Sequence, residues 1–424
     1  MKKYDEYKDS GVAWIGEVPK HWEILRGKYV LKILSGFPFD SQKFELEDNG
    51  VYMPLIRIRD INGSSTEVYY SGSYPIESVV KTGEVLIGMD GDFNISKWKG
   101  TNALLNQRVC KLREDSSMNT HYAFYMLSSP LKAINSVTYA TTVKHLSVYD
   151  IYNAFIPVPP ISEQAAISTY LDTHCAKIDN LISIQQKRIA LLQELKQSVI
   201  THAVTKGLNP NVEMKQSGVE WIGDVPKHWE IRKIKTLSAV KRGASPRPID
   251  DPKYFAEGGE FSWVRIADVS ASDKYLTTTT QKLSKLGSSL SVKRFPGDIF
   301  ISIAGTVGKP IISSIKCCIH DGFVYFPYLK NMNTEFLYYI FMSGQPYLGL
   351  GKMGTQLNLN TETIGNIDIP YPPITEQAAI ASYLDHKCAT IDTSISNAQH
   401  QIELLQEYKQ SLITEVVTGK YKVC

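Results

Sequence analysis

The feature that most constrains this 424-residue chain is an internal duplication. The segment SGVAWIGEVPKHWEI at 10–24 returns as SGVEWIGDVPKHWEI at 217–231, with 13 of 15 residues unchanged. A second block at 157–206 returns at 370–419, displaced by 213 positions, with 31 of 50 residues identical. Chance does not produce two such matches in the same order. The sequence therefore predicts one structural module written twice.

Each copy has the same order: a tryptophan-rich opening, a divergent body of about 130 residues, and a proline-rich step into a long apolar repeat. The first body contains the runs VYMPLIRIRDI and GEVLIGMDGDF, and the second contains FSWVRIADV and GDIFISIAGTVG at matching places. Such β-rich runs, which end in glycine or aspartate, are typical of strands and turns. Amphipathic stretches at 121–131 and 334–343 each predict a short helix. We expect α+β bodies.

The end of each copy predicts a long helix. Prolines at 157, 159 and 160 stop the preceding element, and Ser162 followed by Glu163 is typical of a helix start with an acid in its first turn. Apolar residues then follow one heptad seam. In the first copy these are Cys175, Ile178, Ile182, Ile189, Leu192, Val199 and Ala203, and in the second they are Cys388, Ile391, Ile395, Ala398, Ile402, Leu405, Leu412 and Val416. Roughly 40 helical residues span about 60 Å.

Two helices of this length would bury their seams against each other. The predicted fold class is therefore α+β, with two globular domains separated by two long helices that form an antiparallel coiled coil, in a pseudo-twofold internal repeat. The predicted boundaries are 1–156 for the first domain, 157–207 for the first helix, 208–369 for the second domain and 370–424 for the second helix.

Charge is nearly balanced along the chain. Lys and Arg against Asp and Glu number 18 and 18 for residues 1–160, 5 and 5 for 161–213, 19 and 14 for 214–373, and 4 and 6 for 374–424. Because non-specific phosphate attraction needs clustered cations, we expect the chain alone to bind a polyanion such as DNA weakly unless its charges are strongly sorted by face, and we expect partners to supply part of the binding.

Compartment and membrane association are also constrained by the sequence. No apolar run approaches the roughly 18 residues that a bilayer span needs. The start MKKYDEYKDS lacks the apolar core of a secretory signal. We therefore expect a cytoplasmic protein that is not held in a membrane.

Enzymatic motifs are incomplete. AGTVGKP at 304–310 has two residues between Gly305 and the Gly308-Lys309 pair, and a proline where a phosphate-binding loop needs Ser or Thr. PVPPI and PYPPI lack the acid or amide and the aromatic residue with which amino-methyltransferases hold a flipped base. Acid-x-Lys triplets occur at 6–8, 194–196 and 407–409, but the last two lie inside the long helices and are more simply surface residues. We expect no catalytic site and no metal site in this chain.

The layout as a whole resembles the specificity subunit of type I restriction-modification systems. The resemblance rests on the paired WIG-(E/D)-VPKHW openings and PP-I-(S/T)-EQ-AAI helix entries, and it covers nearly the whole chain. It implies that each body is a target recognition domain for one half of a bipartite site in double-stranded DNA. It also implies that the helices fix the spacer and dock two methyltransferase subunits, which restriction subunits then join. S-adenosylmethionine, ATP and Mg would belong to those partners, with no cofactor in this chain.

The opening tryptophans have two interpretations. Trp14 and Trp22, like Trp221 and Trp229, could stack on bases. Their identity between copies whose specificities must differ favours packing instead, because two half-sites present different donor and acceptor patterns.

Candidate DNA-contacting residues are polar and basic side chains beside glycine turns and strand ends. In the first body they are Arg57, Arg59, Asp90, Asp92, Asn94, Lys97, Thr142, Lys144 and His145. In the second they are Lys241, Arg242, Arg247, Arg265, Thr306, Lys309, Thr355, Gln356 and Asn358. The arginines at strand ends could pair with guanine or form structural ion pairs, for example Arg265 with Asp268. The stretch 232–247 is the best phosphate-binding candidate, with a merely solvated face as its alternative.

Two other functional hypotheses remain open from the sequence. The chain could be a coiled-coil scaffold without base recognition, or an enzyme in its own right. Exchange of one body discriminates the first from DNA recognition, and an assay of the purified chain for nuclease or methyltransferase activity tests the second.

Overall fold

The structure is a computed structural model that describes residues 2–137, 144–348, 350 and 359–423. It divides into two compact units, of which unit 1 is Met1–Gln185 with His400–Cys424 and unit 2 is Gln186–Gln399. Each unit contains one body and part of each long helix. Among the described residues there is no helix of the length and apolarity that a membrane crossing requires.

The body of unit 1 is built from short strands and two helices. The strands are β1 (Tyr7–Asp9), β2 (Glu17–Pro19), β3 (Glu23–Arg26), β4 (Lys32–Ser35), β5 (Phe44–Glu45), β6 (Met53–Ile56), β7 (Tyr69–Tyr70), β8 (Val79–Val80), β9 (Val85–Gly88), β10 (Ile95–Lys97), β11 (Ala103–Leu105), β12 (Val109–Arg113) and β13 (Phe155–Val158), and the helices are α1 (Thr120–Val137) and α2 (Val148–Asn153). The main sheets have the orders β10-β9-β12-β4 and β5-β7-β6-β11-β8. The first long helix, α3, spans Ile161–Lys206.

The body of unit 2 repeats this construction. Its strands are β14 (Met214–Gln216), β15 (Asp224–Pro226), β16 (Glu230–Lys233), β17 (Lys241–Arg242), β18 (Phe261–Val264), β19 (Tyr275–Leu276), β20 (Gln281–Leu283), β21 (Val292–Arg294), β22 (Ile299–Ser302), β23 (Pro310–Ser313), β24 (Cys317–Ile319), β25 (Phe323–Tyr325) and β26 (Asp368–Tyr371). The helices are α4 (Ile234–Leu237), α5 (Ile266–Ala271), α6 (Lys285–Ser289), α7 (Thr334–Met342), α8 (Thr361–Gly365) and the second long helix α9 (Ile374–Val417). The main sheets are β17-β25-β22-β23-β19 and β20-β18-β24-β21.

The two bodies share a topology although their sequences diverge. The parallel pairing of β6 with β11 in unit 1 recurs as that of β18 with β24 in unit 2. Every residue of the strands β9 and β22 is buried, because both faces of these central strands are covered. The expected short helices form as α1 and α7. The α+β prediction is therefore confirmed.

A two-stranded ribbon closes each body next to its long helix. In unit 1, β3 pairs antiparallel with β13, and in unit 2, β16 pairs antiparallel with β26. Just inside the first ribbon, the backbone N–H of Gly27 donates to the carbonyl of Ala154 at 2.9 Å. Both ends of the body's chain therefore leave at one place, beside the start of the long helix.

The long helices contain 46 and 44 residues, which is about 69 and 66 Å at 1.5 Å per residue. In unit 1, Lys409 Nζ of α9 lies 2.7 Å from Asp179 of α3. In unit 2, the equivalent residues make the reciprocal pair, with Lys196 Nζ 2.7 Å from Asp392. The N-terminal part of each helix thus pairs with the C-terminal part of the other, as the antiparallel prediction requires. The heptad seam is confirmed where it meets the bodies, since Cys175, Ile178, Ala203, Cys388, Leu412 and Val416 are buried.

Candidate nucleic-acid interface and its anchors

The two sequence blocks that recur in both copies form one cluster in each unit. The Trp22 indole is fully buried, and its Nε1 donates to Glu163 Oε2 on the first turn of α3 at 3.0 Å. In unit 2 the Trp229 indole is equally buried and donates to Glu376 on α9 at 2.8 Å. The packing interpretation of these two tryptophans is confirmed, while Trp14 and Trp221 are half-buried.

A histidine completes each of these clusters. Nε2 of His21 lies 2.7 Å from the second carboxylate oxygen of Glu163, and Nε2 of His228 lies 2.7 Å from that of Glu376. The His-Trp pair of the KHW motif therefore binds the glutamate of the EQ motif in both copies.

The glutamine after each of these glutamates ties the helix start to the body. Gln164 Oε1 accepts from the backbone N–H of Asn119 at 2.8 Å, and Gln377 Oε1 accepts from that of Asn333 at 2.8 Å. Each Nε2 donates to the carbonyl of the residue five positions earlier, at 2.9 and 2.8 Å. Because both glutamines are buried, these contacts fix α1 and α7 relative to the long helices.

Removal of the Glu163 carboxylate is expected to destabilise the protein. In Glu163→Ala, the buried Trp22 N–H loses its acceptor, which costs about 1–3 kcal/mol of unfolding free energy. Glu163→Gln keeps an acceptor oxygen and should lose less. Urea unfolding of both variants tests this, and equal losses would contradict it.

Several sequence-predicted contact residues of the first body meet at the turn after β9. Asp90 Oδ1 lies 2.7 Å from His145 Nδ1, and Asp90 Oδ2 lies 3.6 Å from Arg108 Nε. The Lys144 ammonium donates a hydrogen bond to the carbonyl of Asn135 at 2.6 Å, and the Lys144 carbonyl accepts one from the N–H of Gly91. The turn thus carries a carboxylate, an imidazole and an arginine side by side.

The tip of this turn is exposed. Asp92 and Asn94 are exposed on either side of Phe93, whose φ is +51°. Thr142 lies outside the described residues. The structure therefore brings Asp90, Asp92, Asn94, Lys144 and His145 together as one polar surface.

Lys97 lies on the strand that follows this turn. It ends β10, and its Nζ lies 2.7 Å from Asp172 on α3 and 3.1 Å from His121 Nδ1. Its ammonium also lies 5.0 Å from the centre of the Phe124 ring. This lysine binds the long helix, and it lines one cavity together with Asp92 and Asn94 of the polar turn.

The arginines of the first body are engaged in ion pairs. Arg57 Nη2 lies 3.1 Å from Glu67 Oε2, and Arg59 Nη1 lies 3.4 Å from the same oxygen. Arg59 is 63% exposed, whereas Arg57 is 23% exposed. Both arginines therefore form ion pairs, and Arg59 is the more accessible of the two.

Arg265 of the second body occupies the position of Arg57, at the end of the strand equivalent to β6. The Asp268 carboxylate accepts from the backbone N–H of Arg265 at 2.8 Å, as Asp60 accepts from that of Arg57. The guanidinium of Arg265 donates instead to Gln281 Oε1 at 2.5 Å. The interpretation of a side-chain ion pair between Arg265 and Asp268 is therefore wrong: Asp268 caps the backbone and leaves the guanidinium exposed.

Thr306 and Lys309 lie on the turn between β22 and β23. Thr306 Oγ1 is 2.6 Å from Ser270 Oγ, and Lys309 Nζ donates to the carbonyl of Ser272 at 2.6 Å. Burial lowers the pKa of Lys309. Backbone carbonyl oxygens thus accept hydrogen bonds from this ammonium. Thr355, Gln356 and Asn358 lie outside the described residues.

The basic stretch 232–247 divides into two parts. Its first part is neutralised locally, since Arg232 pairs with Glu230 at 2.7 Å and Lys233 pairs with Asp368 at 2.6 Å. The second part surrounds one carboxylate. Arg242 donates to the carbonyl of Asp321, Arg247 Nη2 lies 3.1 Å from the Asp321 side chain, and Lys241 is exposed beside them on β17. The exposed cations of the stretch are Arg232 and Lys235 in its first part and Lys241, Arg242 and Arg247 in its second.

The sequence interpretation missed the polar contacts between the bodies and the long helices. Asp172 accepts from Tyr125 at 2.6 Å, and Asp385 accepts from Tyr339 at 2.6 Å. A signal was present, because both aspartates stand in the identical tripeptide YLD of the two copies. Within the described part of the chain, no group of histidine, cysteine and carboxylate side chains is arranged to hold a metal ion.

Comparisons with known proteins agree with this architecture. The model for the type I restriction modification DNA specificity domain matches residues 19–194 and again 226–404. The EcoBI specificity subunit of Escherichia coli is 28% identical over 417 residues, which is 94% of this chain and 86% of that protein.

Solved structures share the fold. A chain from a study of complex assembly and conformational transition of the type I R-M system has a TM-score of 0.72 at 19% identity, with 94% of this chain and 98% of that chain covered. The HsdS subunit from Thermoanaerobacter tengcongensis has a TM-score of 0.51 at 19% identity, with coverage of 95% and 98%. Because the family model matches twice and spans most of the sequence, this chain belongs to the type I restriction modification DNA specificity family.

Proposed function

We propose that this chain is the non-catalytic specificity subunit of a type I restriction-modification complex, and that each body recognises one half of a bipartite DNA site. One observation carries the proposal. The two bodies share sheets and anchors, yet the side chains on their exposed turns differ. A protein that recognises two different half-sites needs a common frame and distinct contact surfaces.

The polar turn of the first body is the proposed base-contacting surface of unit 1. Asp90, Asp92, Asn94 and His145 combine donors and acceptors that differ in geometry, as the edges of base pairs in the major groove require. Arg59 lies at a strand end with most of its guanidinium exposed. In unit 2 we assign Arg265 and Thr306 to base contacts by the same argument.

Lys241, Arg242 and Arg247 are the proposed phosphate contacts of unit 2. Arg247 is 70% exposed and already binds a carboxylate oxygen of Asp321, so that a phosphate oxygen can replace this partner without rearrangement of the backbone.

Exposed apolar residues on the long helices form the proposed docking surface for methyltransferase subunits. Unit 1 exposes Leu181, Ile184, Leu404 and Tyr408, and unit 2 exposes Leu191, Leu195 and Tyr383. Leu191 and Leu404 are equivalent in the two copies, as are Leu195 and Tyr408. Equivalent apolar positions suit two copies of one partner, and restriction subunits would join that assembly.

The partners would also supply the chemistry. We assign S-adenosylmethionine to the methyltransferase subunits, and ATP and Mg to the restriction subunits, because the enzymatic motifs of this chain are incomplete. The proposed compartment is the cytoplasm, where the host DNA and these partners are found.

Reconstitution tests the assembly. The purified chain, mixed with its cognate methyltransferase, should form a complex of two methyltransferase copies per chain and methylate adenine within a split site. Light scattering measures the composition, and sequencing of methylated adenines in the host genome gives the site. A stable one-to-one complex, or methylation of one continuous site, would overturn the proposal.

Two single substitutions separate base contacts from phosphate contacts in the assembled complex. Arg265→Ala should cost about 1–3 kcal/mol of binding free energy and relax the preference at one base position. Lys241→Ala should weaken binding to all sequences alike and lower the salt dependence by about one counterion. Binding titrations on a panel of single-base site variants at several salt concentrations measure both. If Arg265→Ala weakens binding to all site variants equally, Arg265 contacts the DNA backbone rather than a base.

A further inference from the structure

A carboxylate on a long helix binds the body in each unit, at equivalent positions of the two copies. Asp172 lies on α3 in unit 1, and Asp385 lies on α9 in unit 2, at the offset of 213. Each carboxylate accepts a hydrogen bond from a tyrosine of the body helix and forms an ion pair with a lysine at the edge of the body sheet.

In unit 1 the partners of Asp172 are Tyr125 on α1 and Lys97 on β10. The Tyr125 hydroxyl donates to Asp172 Oδ1 at 2.6 Å, and Lys97 Nζ lies 2.7 Å from the same oxygen. The ammonium also lies 5.0 and 5.3 Å from the ring centres of Phe124 and Tyr125. Lys97 is only 22% exposed.

In unit 2 the partners of Asp385 are Tyr339 on α7 and Lys274. The Tyr339 hydroxyl donates to Asp385 Oδ1 at 2.6 Å, and Lys274 donates to the same oxygen. The ammonium of Lys274 lies 5.0 and 5.7 Å from the ring centres of Tyr339 and Tyr338. Lys274 is 14% exposed.

The two lysines are not equivalent in the repeat. Lys97 ends the strand β10, whose counterpart in the second body is β23, whereas Lys274 immediately precedes β19. However, β10 is the edge strand of its sheet, and in the second body β19 pairs with β23 and becomes the edge strand. In each body the lysine therefore lies on the outermost strand or directly before it, although a different segment of the chain forms that strand.

The charge state of these groups supports a persistent contact. Burial alone would raise the pKa of Asp172, but hydrogen bonds from Lys97 and Tyr125 outweigh it and hold the pKa below its usual value. Burial, followed by the hydrogen bond to the aspartate, raises the pKa of Tyr125 and of Tyr339. Both tyrosines therefore remain donors throughout the physiological range of pH.

Retention of the same three-part contact, with the lysine supplied from two unrelated segments, indicates that the position of the ammonium matters more than its origin. The contacts of Glu163 and Gln164 hold the first body at the start of its long helix, and Asp172 adds a polar contact further along that helix. A carboxylate that binds both the body helix and the edge strand of the body sheet fixes two points at once, and so fixes the angle of the body on the helix.

We infer that the cluster of Lys97, Tyr125 and Asp172, with its counterpart of Lys274, Tyr339 and Asp385, is a joint that sets the orientation of each body on its long helix. Lys97 is then a positioning residue for the spacing between half-sites rather than a DNA contact. This inference rests on the proposed function, because spacing has meaning only if both bodies bind DNA.

The test measures spacer preference in the chain assembled with its methyltransferase. Methylation rates are compared on synthetic sites whose spacer equals the natural one or differs by one base pair. The variants are Lys97→Met, Asp172→Asn and the double variant, with Lys132→Met as matched control. Lys132 also reaches a long helix, where its Nζ donates to Gln410 at 2.6 Å, but it contacts no carboxylate there.

The expected result is a fall of about fivefold or more in discrimination against the altered spacer in each single variant. The double variant should fall no further, because the two residues act as one unit. Lys132→Met should keep the natural preference. Base preference within the half-sites should stay unchanged in all variants.

Three results would overturn the joint. The first is unchanged discrimination between spacers in the Lys97 and Asp172 variants. Even if their melting temperature falls, this result would mean that the ion pair only stabilises the protein and does not orient the body. Altered base preference in Lys97→Met would make it a DNA contact, and additive effects in the double variant would mean independent roles. If the variants do not fold, Lys274→Met and Asp385→Asn apply the same test in unit 2. If the wild-type complex itself fails to methylate a split site, the proposed function fails, and the joint fails with it.

Discussion

Exchange of residues 27–154 for the body of another family member is expected to replace one half of the methylated DNA site and leave the other half unchanged. Loss of even two matched base pairs costs about 2–6 kcal/mol, which is roughly 30-fold to 10⁴-fold in preference for the old half-site. The change should be confined to one half, because unit 2 has its own body and anchors.

The boundaries of this exchange follow from the structure. Junctions at Leu25 and Phe155 would cut through the ribbon in which β3 pairs with β13. Junctions at Gly27 and Ala154 leave that ribbon, the Trp22 cluster and the start of α3 in place. The incoming body should carry a lysine on its edge strand, in reach of Asp172.

Sequencing of methylated adenines in a host that expresses the exchanged chain measures the outcome. A site unchanged in both halves would favour the scaffold hypothesis. Exchange of only the turn at 89–94 is an informative control, because it alters the proposed base contacts and leaves the joint of Lys97, Tyr125 and Asp172 intact. This smaller exchange should change the base preference and leave the preferred spacer length unchanged.

The frame of this protein was predictable because it is repeated. Identity at a fixed offset predicted a repeated module, the heptad pattern predicted the long helices, and the pseudo-twofold repeat predicted their antiparallel pairing. The packing role of Trp22 and Trp229 followed from their identity in the two copies, which an aromatic residue that distinguishes half-sites would not retain.

The contact residues were harder to predict because a polar side chain beside a glycine turn has no unique role. Lys97 and Lys309 are both cations near turns, but the Lys97 ammonium binds Asp172 and the Lys309 ammonium binds backbone carbonyls. Arg265 and Asp268 are three residues apart, a spacing that permits an ion pair on a helix, but the Asp268 carboxylate accepts a hydrogen bond from the backbone N–H of Arg265 instead. Such outcomes depend on which strand forms the sheet edge and on where each turn folds back, and neither follows from local sequence.

The lysine that binds each helix aspartate was equally hard to predict from the sequence. Lys97 and Lys274 bind equivalent aspartates although no alignment of the two copies matches them. The edge strand differs between the bodies because the segment after α5 adds β19 to the second sheet. A comparison based on sequence offset therefore cannot find this contact, whereas a comparison of sheet positions finds it directly.

Insertion of one heptad into both long helices is expected to lengthen the preferred spacer by up to about three base pairs. Seven residues add about 10.5 Å of helix, and a base pair rises about 3.4 Å. Insertion after Gln185 in α3 and after Gln399 in α9 leaves the pair of Lys409 with Asp179 inside unit 1 and that of Lys196 with Asp392 inside unit 2. A heptad also keeps the apolar seam on the same face.

Insertion into α3 alone provides the matched control, because it puts the two helices out of register by seven residues. One of the two ion pairs must then break, and we expect methylation of the natural site to be abolished. Methylation assays on sites whose spacers increase one base pair at a time measure both variants. An unchanged spacer optimum in the doubly lengthened chain would mean that the helices do not set the spacing. A shift in that optimum with unaltered half-sites would instead show that spacing and base recognition belong to separate parts of the chain.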